Sequence, residues 1–223
     1  MESFLKVLLI LSSAIALHVS FTTKNVPSSK EVVHQTFNER IFTRLVTYGF
    51  PTIKAIYWAV SFAEIAIITT GPNYLSVIRN TPITLPFILG TALAVAGGLI
   101  RLWCYRTLGR FFTFQLSVCD GQHIVTTGPY AVIRHPSYAA GMVEIIGILI
   151  LHGSTNSWLR CSGVLDIPGL QLIVVAWLAQ IALLIINVVC RVSQEDEVLK
   201  LTFRGEWERW AKAVRYRLIP GIY

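Results

Sequence analysis

Two short stretches hold most of the residues whose types and spacing could do chemistry. The first runs Gly128-Pro129-Tyr130-Ala131-Val132-Ile133-Arg134-His135-Pro136-Ser137-Tyr138. Gly128-Pro129 signals a turn. His135, placed before a proline, is biased to extended geometry, and Pro136 suits the first position of a helix. That helix start offers backbone N–H groups to a carboxylate or phosphate, with Arg134, His135 and Tyr138 around it. Taken alone, the ordinary reading is a basic helix start with an interfacial tyrosine. The second stretch, Arg191-Val192-Ser193-Gln194-Glu195-Asp196-Glu197, changes that balance. On a continuous helix Arg191 and Glu195 stand at i and i+4, sharing a face with Asn187 and Leu199, while Asp196 lies about 100° round. An exposed ion pair there would be worth only about 0.3–0.5 kcal/mol. A guanidinium at a membrane boundary, held by a carboxylate one turn away, could instead grip an anionic substrate through two hydrogen bonds.

The elements that must position these residues are apolar. Of 223 residues 54% are hydrophobic and only 14% charged, with a mean hydropathy of +0.60. A soluble domain carries about a quarter charged residues, so a water-soluble globule is excluded, as is a disordered chain. Five runs approach the ~20 residues that cross a bilayer: Phe4–Phe21, Tyr48–Thr70, Ile83–Cys104, Tyr138–His152 and Leu170–Val192. The fourth has 15 residues, about 22 Å as a helix, and is expected either to thin the bilayer or to form a tight hairpin with the fifth across Gly153–Gly163. The first resembles a signal peptide in having Lys6 ahead of an apolar stretch. It has no clear small-x-small cleavage site, and the reading is a retained anchor.

Lysine and arginine set the orientation. With five spans, segments 22–47 and 105–137 and the tail after Val192 share one side. That side carries Lys24, Lys30, Arg40, Arg44, Arg101, Arg106, Arg110, Arg134, Arg191, Lys200, Arg204, Arg209, Lys212, Arg215 and Arg217, fifteen in all, against Lys6, Arg79 and Arg160 opposite, with Lys54 within span two. The excess assigns the long loop and the tail to the cytosol. The net charge of +7 therefore reflects topology and contact with anionic lipid, and no nucleic acid is called for. The four cysteines (Cys104, Cys119, Cys161, Cys190) have neither metal nor disulfide-framework spacing. The loop and the tail are rich in aromatic and aliphatic residues, so they are expected to fold on one another rather than remain loose connectors. Glu64 and Glu144 lie within spans, where an ionisable group is a functional candidate. For Glu64 an interhelical hydrogen bond is favoured, and Glu144 could border a pocket beyond Tyr138. His18, His34 and His152 read as interfacial, and Gly90, Gly97 and Gly98 as sites of close helix packing.

Together the two stretches resemble the isoprenylcysteine carboxyl methyltransferases, within the wider group of integral-membrane methyltransferases. The pattern G-x-Y-x-x-x-R-H-P-x-Y is met by Gly128, Tyr130, Arg134, His135, Pro136 and Tyr138. The pattern R-x-x-x-E-[ED]-x-x-L is met by Arg191, Glu195, Asp196 and Leu199. The ending Tyr216-Arg217-Leu218-Ile219-Pro220-Gly221 is similar to the prenylcysteine branch. The resemblance covers roughly 108–223 and implies a catalytic region there, after an N-terminal region of three spans in 1–107. It implies an all-α polytopic membrane helix bundle in which S-adenosylmethionine sits between the loop before span four and the tail. The cofactor contacts it implies are Gln115, Gln122, His123, Ile124, Val125, Tyr130, His135, Pro136, Ser137, Tyr138 and Glu195. Arg191 matches the arginine that meets the substrate carboxylate. Glu195 would orient Arg191 or bind the cofactor's ammonium end, and both are counted as catalytic. The chain departs from the family at His123, displaced by one from the usual histidine, and at Arg204, where a glycine is common. Trp207 and Trp210 stand for the aromatic pair of the tail.

The implied reaction is methyl esterification of the prenylated C-terminal cysteine of CaaX proteins, at the cytosolic face of the endoplasmic reticulum membrane. A C-terminal carboxylate has a pKa of about 3.3–3.7, so it is already a nucleophile and needs no general base. That agrees with a sequence offering no catalytic triad, metal cluster or phosphate-binding glycine loop. The competing readings are a phospholipid (phosphatidylethanolamine) N-methyltransferase, an NADPH-dependent membrane sterol reductase, and a non-enzymatic scaffold or transporter. An amine nucleophile must lose a proton and has less use for an arginine beside it. A sterol reductase would have more spans and a longer C-terminal region.

Overall fold

The computed structural model describes residues 1–23, 25–33, 36–70 and 81–222. Lys24, His34 and Arg79, which enter the sequence reading, lie outside them. The described residues form α1 (Glu2–Ser20), α2 (Phe37–Arg44), α3 (Phe50–Thr70), α4 (Leu85–Leu108), α5 (Pro136–Gly153), the single-turn α6 (Trp158–Cys161), α7 (Pro168–Phe203) and α8 (Gly205–Ala213). A wide turn over Leu45–Gly49 joins α2 to α3 without a break. Among the described residues, five helical stretches are long and apolar enough to cross a membrane. The molecule is an all-α, multi-pass membrane bundle.

Span two begins earlier than hydropathy suggests. The expected loop 22–47 contains α2, because Glu39, Arg40 and Arg44 depress the apolar signal without interrupting the helix. Its start is written locally: Thr36 accepts the Glu39 N–H as an N-cap, at the spacing of a capping box. Span four is also longer than its apolar run. α5 has 18 residues, about 27 Å, close to the ~30 Å of a hydrocarbon core.

The expected hairpin of spans four and five does not form. The most extensive helix contact is between α4 and α5, while α5 and α7 touch sparsely. The reason is the small residues on the α4 face. A Cβ on Gly90 would lie 2.6 Å from the Leu151 nitrogen, and one on Gly147 would lie 2.5 Å from the Ala94 nitrogen. Backbones this close leave no room for any other side chain and replace side-chain interdigitation with direct dispersion contact. Gly97 meets α5 in the same way, and Gly98 faces Ala16 of α1.

Buried polar residues pin the rest. Lys6 of α1 pairs with Glu64 of α3 at 3.1 Å, so the interhelical bond expected of Glu64 is an ion pair. Glu144 of α5 is fully buried and accepts from the Ser20 hydroxyl. It does not line the cavity described below. His18 accepts from the Trp58 indole at 3.3 Å, and His152 rests edge-on against Tyr57.

α7 runs 36 residues, about 54 Å, so its last turns pass well beyond a bilayer core. Against that extension folds the rest of the chain: Ile124 from the loop and Trp210 and Val214 from the tail form a cluster with Leu199, Phe203 and Trp207. The expectation that loop and tail pack on one another is met there. Arg204, the residue between α7 and α8, has φ 42°, a region that suits glycine.

Candidate functional site

His135 and Asp196 join the two chemically informative stretches. His135 caps α5 with φ −121° and ψ 59°, short of fully extended geometry. Its N–H donates to the Arg217 carbonyl at 2.9 Å, and the Arg134 N–H donates to the Tyr216 carbonyl at 3.0 Å, so the tail holds this turn from outside. Its ring nitrogen Nε2 lies 3.0 Å from Oδ1 of Asp196. The other Asp196 oxygen takes Arg217 Nε at 3.1 Å and Arg134 Nη2 at 3.5 Å. One buried carboxylate therefore ties loop, α7 and tail together.

Glu195 and Arg191 lie on the next face of α7, yet they do not pair with each other. Glu195 accepts from the Tyr138 hydroxyl at 2.7 Å and lies 3.9 Å from His135 Nδ1. The rings of Tyr138 and His135 stack at 5.8 Å, nearly parallel. Arg191, 3% exposed, donates through Nη1 to Oε1 of Glu39 on α2 at 3.1 Å. Its guanidinium stands 4.2 Å over the Phe42 ring. The same Glu39 oxygen accepts the Leu116 N–H at 2.8 Å. Glu39 and Phe42 escape a motif reading because they lie in the segment taken as a loop. The Thr36-x-x-Glu39 spacing was the one local signal of a helix there.

Between these residues opens a cavity of about 130 Å³. Arg191, Glu195, Gln115, Gln122, His123, Ile124, Val125, Tyr130, His135, Ser137 and Tyr138 all line it. Pro136 does not; it starts α5 behind that wall. Phe111 meets His123 edge-on, and Gln122 accepts the Cys119 N–H at 2.8 Å. The Trp210 indole donates to the Tyr130 carbonyl at 3.1 Å, and Glu206 accepts the Ile124 N–H at 3.3 Å, so α8 closes one side. Burial pushes the Tyr130 phenol well above its ordinary range, so it remains protonated.

The lining has two characters. One part comes from the bundle core, with Phe50, Met142, Ile145, Leu184 and Val188; the other comes from the loop–tail cluster through Ile124 and Trp210. Arg101, which motif reading counted only as a boundary charge, also lines the cavity. It donates to the carbonyls of Ser20 at 3.1 Å and Ser137 at 2.9 Å, bracing the first turn of α5 against α1. Among the described residues, the buried polar atoms at or beside the cavity that have no hydrogen-bond partner include Arg191 Nε, the Ser137 hydroxyl and Glu39 Oε2. Buried orphans of this kind mark where a bound polar group would be satisfied.

Residues 88–165 match the model of the isoprenylcysteine carboxyl methyltransferase (ICMT) family. The match takes in α4, the cavity loop and α5; Arg191 and Glu195 lie beyond it. Uncharacterized protein YpbQ of Bacillus subtilis (strain 168) is 33% identical over 54 residues, 24% of this chain and 32% of that protein. Nickel-cobalt-cadmium resistance protein NccN of Alcaligenes xylosoxydans xylosoxydans is 32% identical over 89 residues, 40% of this chain and 37% of that protein. The chain thus spans about a third of the length of these relatives. No solved structure matches. The first motif therefore lies inside the stretch, residues 88–165, that is similar to the isoprenylcysteine carboxyl methyltransferase family, and the second motif meets it across one cavity.

Proposed function

We propose that the chain is an S-adenosylmethionine-dependent methyltransferase that esterifies the carboxylate of a prenylated C-terminal cysteine at the cytosolic face of the endoplasmic reticulum membrane. The carrying observation is the buried Arg191: its Nε has no protein partner and it lines a cavity that runs from apolar core residues to the polar loop and tail. That combination suits an anionic head on a long hydrocarbon chain.

The residues present fit the cofactor by their donor set. Phe111, Phe114 and Ile124 offer apolar faces to an adenine, Gln115 and Gln122 offer amides to a ribose or carboxylate, and Glu195 offers negative charge to an ammonium. When bound, S-adenosylmethionine supplies a methyl group on a positively charged sulfur. The chain's part is to bind, orient and exclude water. Tyr138 and His135 hold Glu195 in place from the first motif. Arg191 orients the acid, and the surrounding phenylalanines keep the site dry. Attraction between charged reactants is stronger in such a site than in water, and alignment to about 3–3.5 Å converts binding into rate. Residues 108–223 supply the catalytic groups, the first three spans supply part of the wall, and CaaX-processed proteins and membrane lipid are the partners.

The test is methyl incorporation in membranes carrying the chain, offered an S-farnesyl or S-geranylgeranyl cysteine derivative or phosphatidylethanolamine. Base-labile methyl ester on the prenylcysteine is the expected product. Label found only in the phospholipid headgroup would transfer the assignment to amine methylation.

A further inference from the structure

Arg191 is oriented from a helix that neither motif contains. We infer that Glu39 is a positioning residue for the acid-binding guanidinium, and that it sets Arg191 and the cavity loop with a single oxygen. The inference rests on the proposed esterification and extends it to a part of the chain outside the family-matched region 88–165.

Four observations carry it. Glu39 is 2% exposed and does not line the cavity, so it acts only through another group. Its Oε1 accepts from Arg191 Nη1 at 3.1 Å and from the Leu116 N–H at 2.8 Å. Leu116 lies between Gln115 and Ser117, which line the cavity with it. Phe42, three residues on and on the same face of α2, covers the guanidinium at 4.2 Å. The guanidinium is thereby fixed from one edge and one face, with the Tyr138 hydroxyl beside it, and Nε is left without a partner.

The chemistry of that arrangement is specific. A lone buried guanidinium would bind a carboxylate as a tight ion pair and quench its nucleophilicity. With Glu39 already supplying a negative charge, Arg191 meets an incoming acid as the cationic half of a neutral pair. It directs the carboxylate by hydrogen-bond geometry more than by net charge. Because the loop amide shares the same oxygen, any shift of segment 115–117 on cofactor binding is passed to Arg191. Thr36, which caps α2 at the Glu39 N–H, fixes where that oxygen stands.

The experiment uses the full chain in membranes, with N-acetyl-S-farnesylcysteine as acid and S-adenosylhomocysteine as the cofactor probe. Glu39→Gln keeps an acceptor for the Leu116 N–H and removes the charge. Its expected effect is a fall of about tenfold or more in kcat/KM for the acid, lying mainly in KM, with S-adenosylhomocysteine affinity within about twofold of wild type. Glu39→Asp recovers more of the loss than Gln does, and Arg40→Gln, exposed on the same helix, changes nothing. Should Glu39→Gln not fold, Phe42→Leu replaces it, with a smaller fall of about threefold in the same parameter. Equal losses in acid and cofactor binding, an unimpaired Gln variant, or an Asp variant no better than Gln would each overturn the positioning role alone. A wild-type chain that binds S-adenosylhomocysteine yet esterifies no prenylcysteine would overturn both this role and the proposed reaction.

Discussion

A guanidinium buried in a membrane bundle is held there by what it touches, and Arg191 touches Glu39, Phe42, Tyr138 and an open cavity. Arg191→Ala is expected to abolish prenylcysteine esterification while S-adenosylhomocysteine binding largely survives, which titration calorimetry on the purified protein checks directly. Arg191→Lys is expected to recover little, because an ammonium lacks the planar fork that serves Glu39 and a second carboxylate at once. Arg204 poses a residue-scale problem of another kind. Its φ of 42° forces an L side chain into a conformation costing about 1–2 kcal/mol, and its side chain is exposed, so nothing is lost by removing it. Arg204→Gly gives back about half a kcal/mol or more to the unfolded chain's entropy. A net gain of up to about 1 kcal/mol is expected, seen as a higher unfolding midpoint of the detergent-solubilised protein with activity retained.

At the scale of elements, the α4–α5 crossing is the frame on which the site is mounted. Gly90, Gly97 and Gly147 let the two backbones meet, and α5 in turn starts at the His135–Tyr138 turn that faces Glu195 and Asp196. Gly147→Leu would set a side chain where backbone atoms of α4 already stand, 2.5 Å away. The expected cost is about 3 kcal/mol or more, because a backbone cannot step aside as a flexible side chain can. The measurable result is loss of folded protein after detergent extraction, together with loss of cofactor affinity, since Ser137 and Tyr138 move with α5. Gly153→Ala, with open space around its Cβ position, is the silent comparison.

For the whole molecule, the cavity lies where the loop, α2, the end of α7 and the tail converge, the end that also carries most of the positive charge. In the proposed orientation that end faces the cytosol. Trypsin added to sealed, cytosolic-face-out vesicles of the membrane that carries the chain is expected to cut the exposed tail at Lys212 and Arg215 without detergent. Cleavage that requires detergent would reverse the orientation and with it the access of a cytosolic methyl donor. The membrane setting also explains the mixed lining. Under the proposed reaction, a substrate with a hydrocarbon anchor and an ionised head would be held by lipid at one end and by Arg191 at the other, leaving only its alignment to the site.

Sequence alone was enough for the class of the fold and for the pairing of the two motifs. Apolar runs of bilayer length, a charge bias of one side over the other, and glycines on one helix face are one-dimensional records of a solvent that tolerates no exposed backbone polarity. That the two stretches come together was expected from the family resemblance; the particular contacts of Tyr138 with Glu195 and of His135 with Asp196 were not. Tertiary structure alone decided which partner Arg191 takes and which helix α5 packs against. An i, i+4 spacing places Glu195 near Arg191, but Tyr138 captures Glu195 first, and Glu39 arrives from 152 positions away in the chain. Hydropathy could not report that arrival, because a charged turn reads as a loop until a buried cation is seen opposite it. The choice of α4 over α7 as partner for α5 likewise depended on matching small residues across two helices, a complementarity in three dimensions that neither run displays by itself.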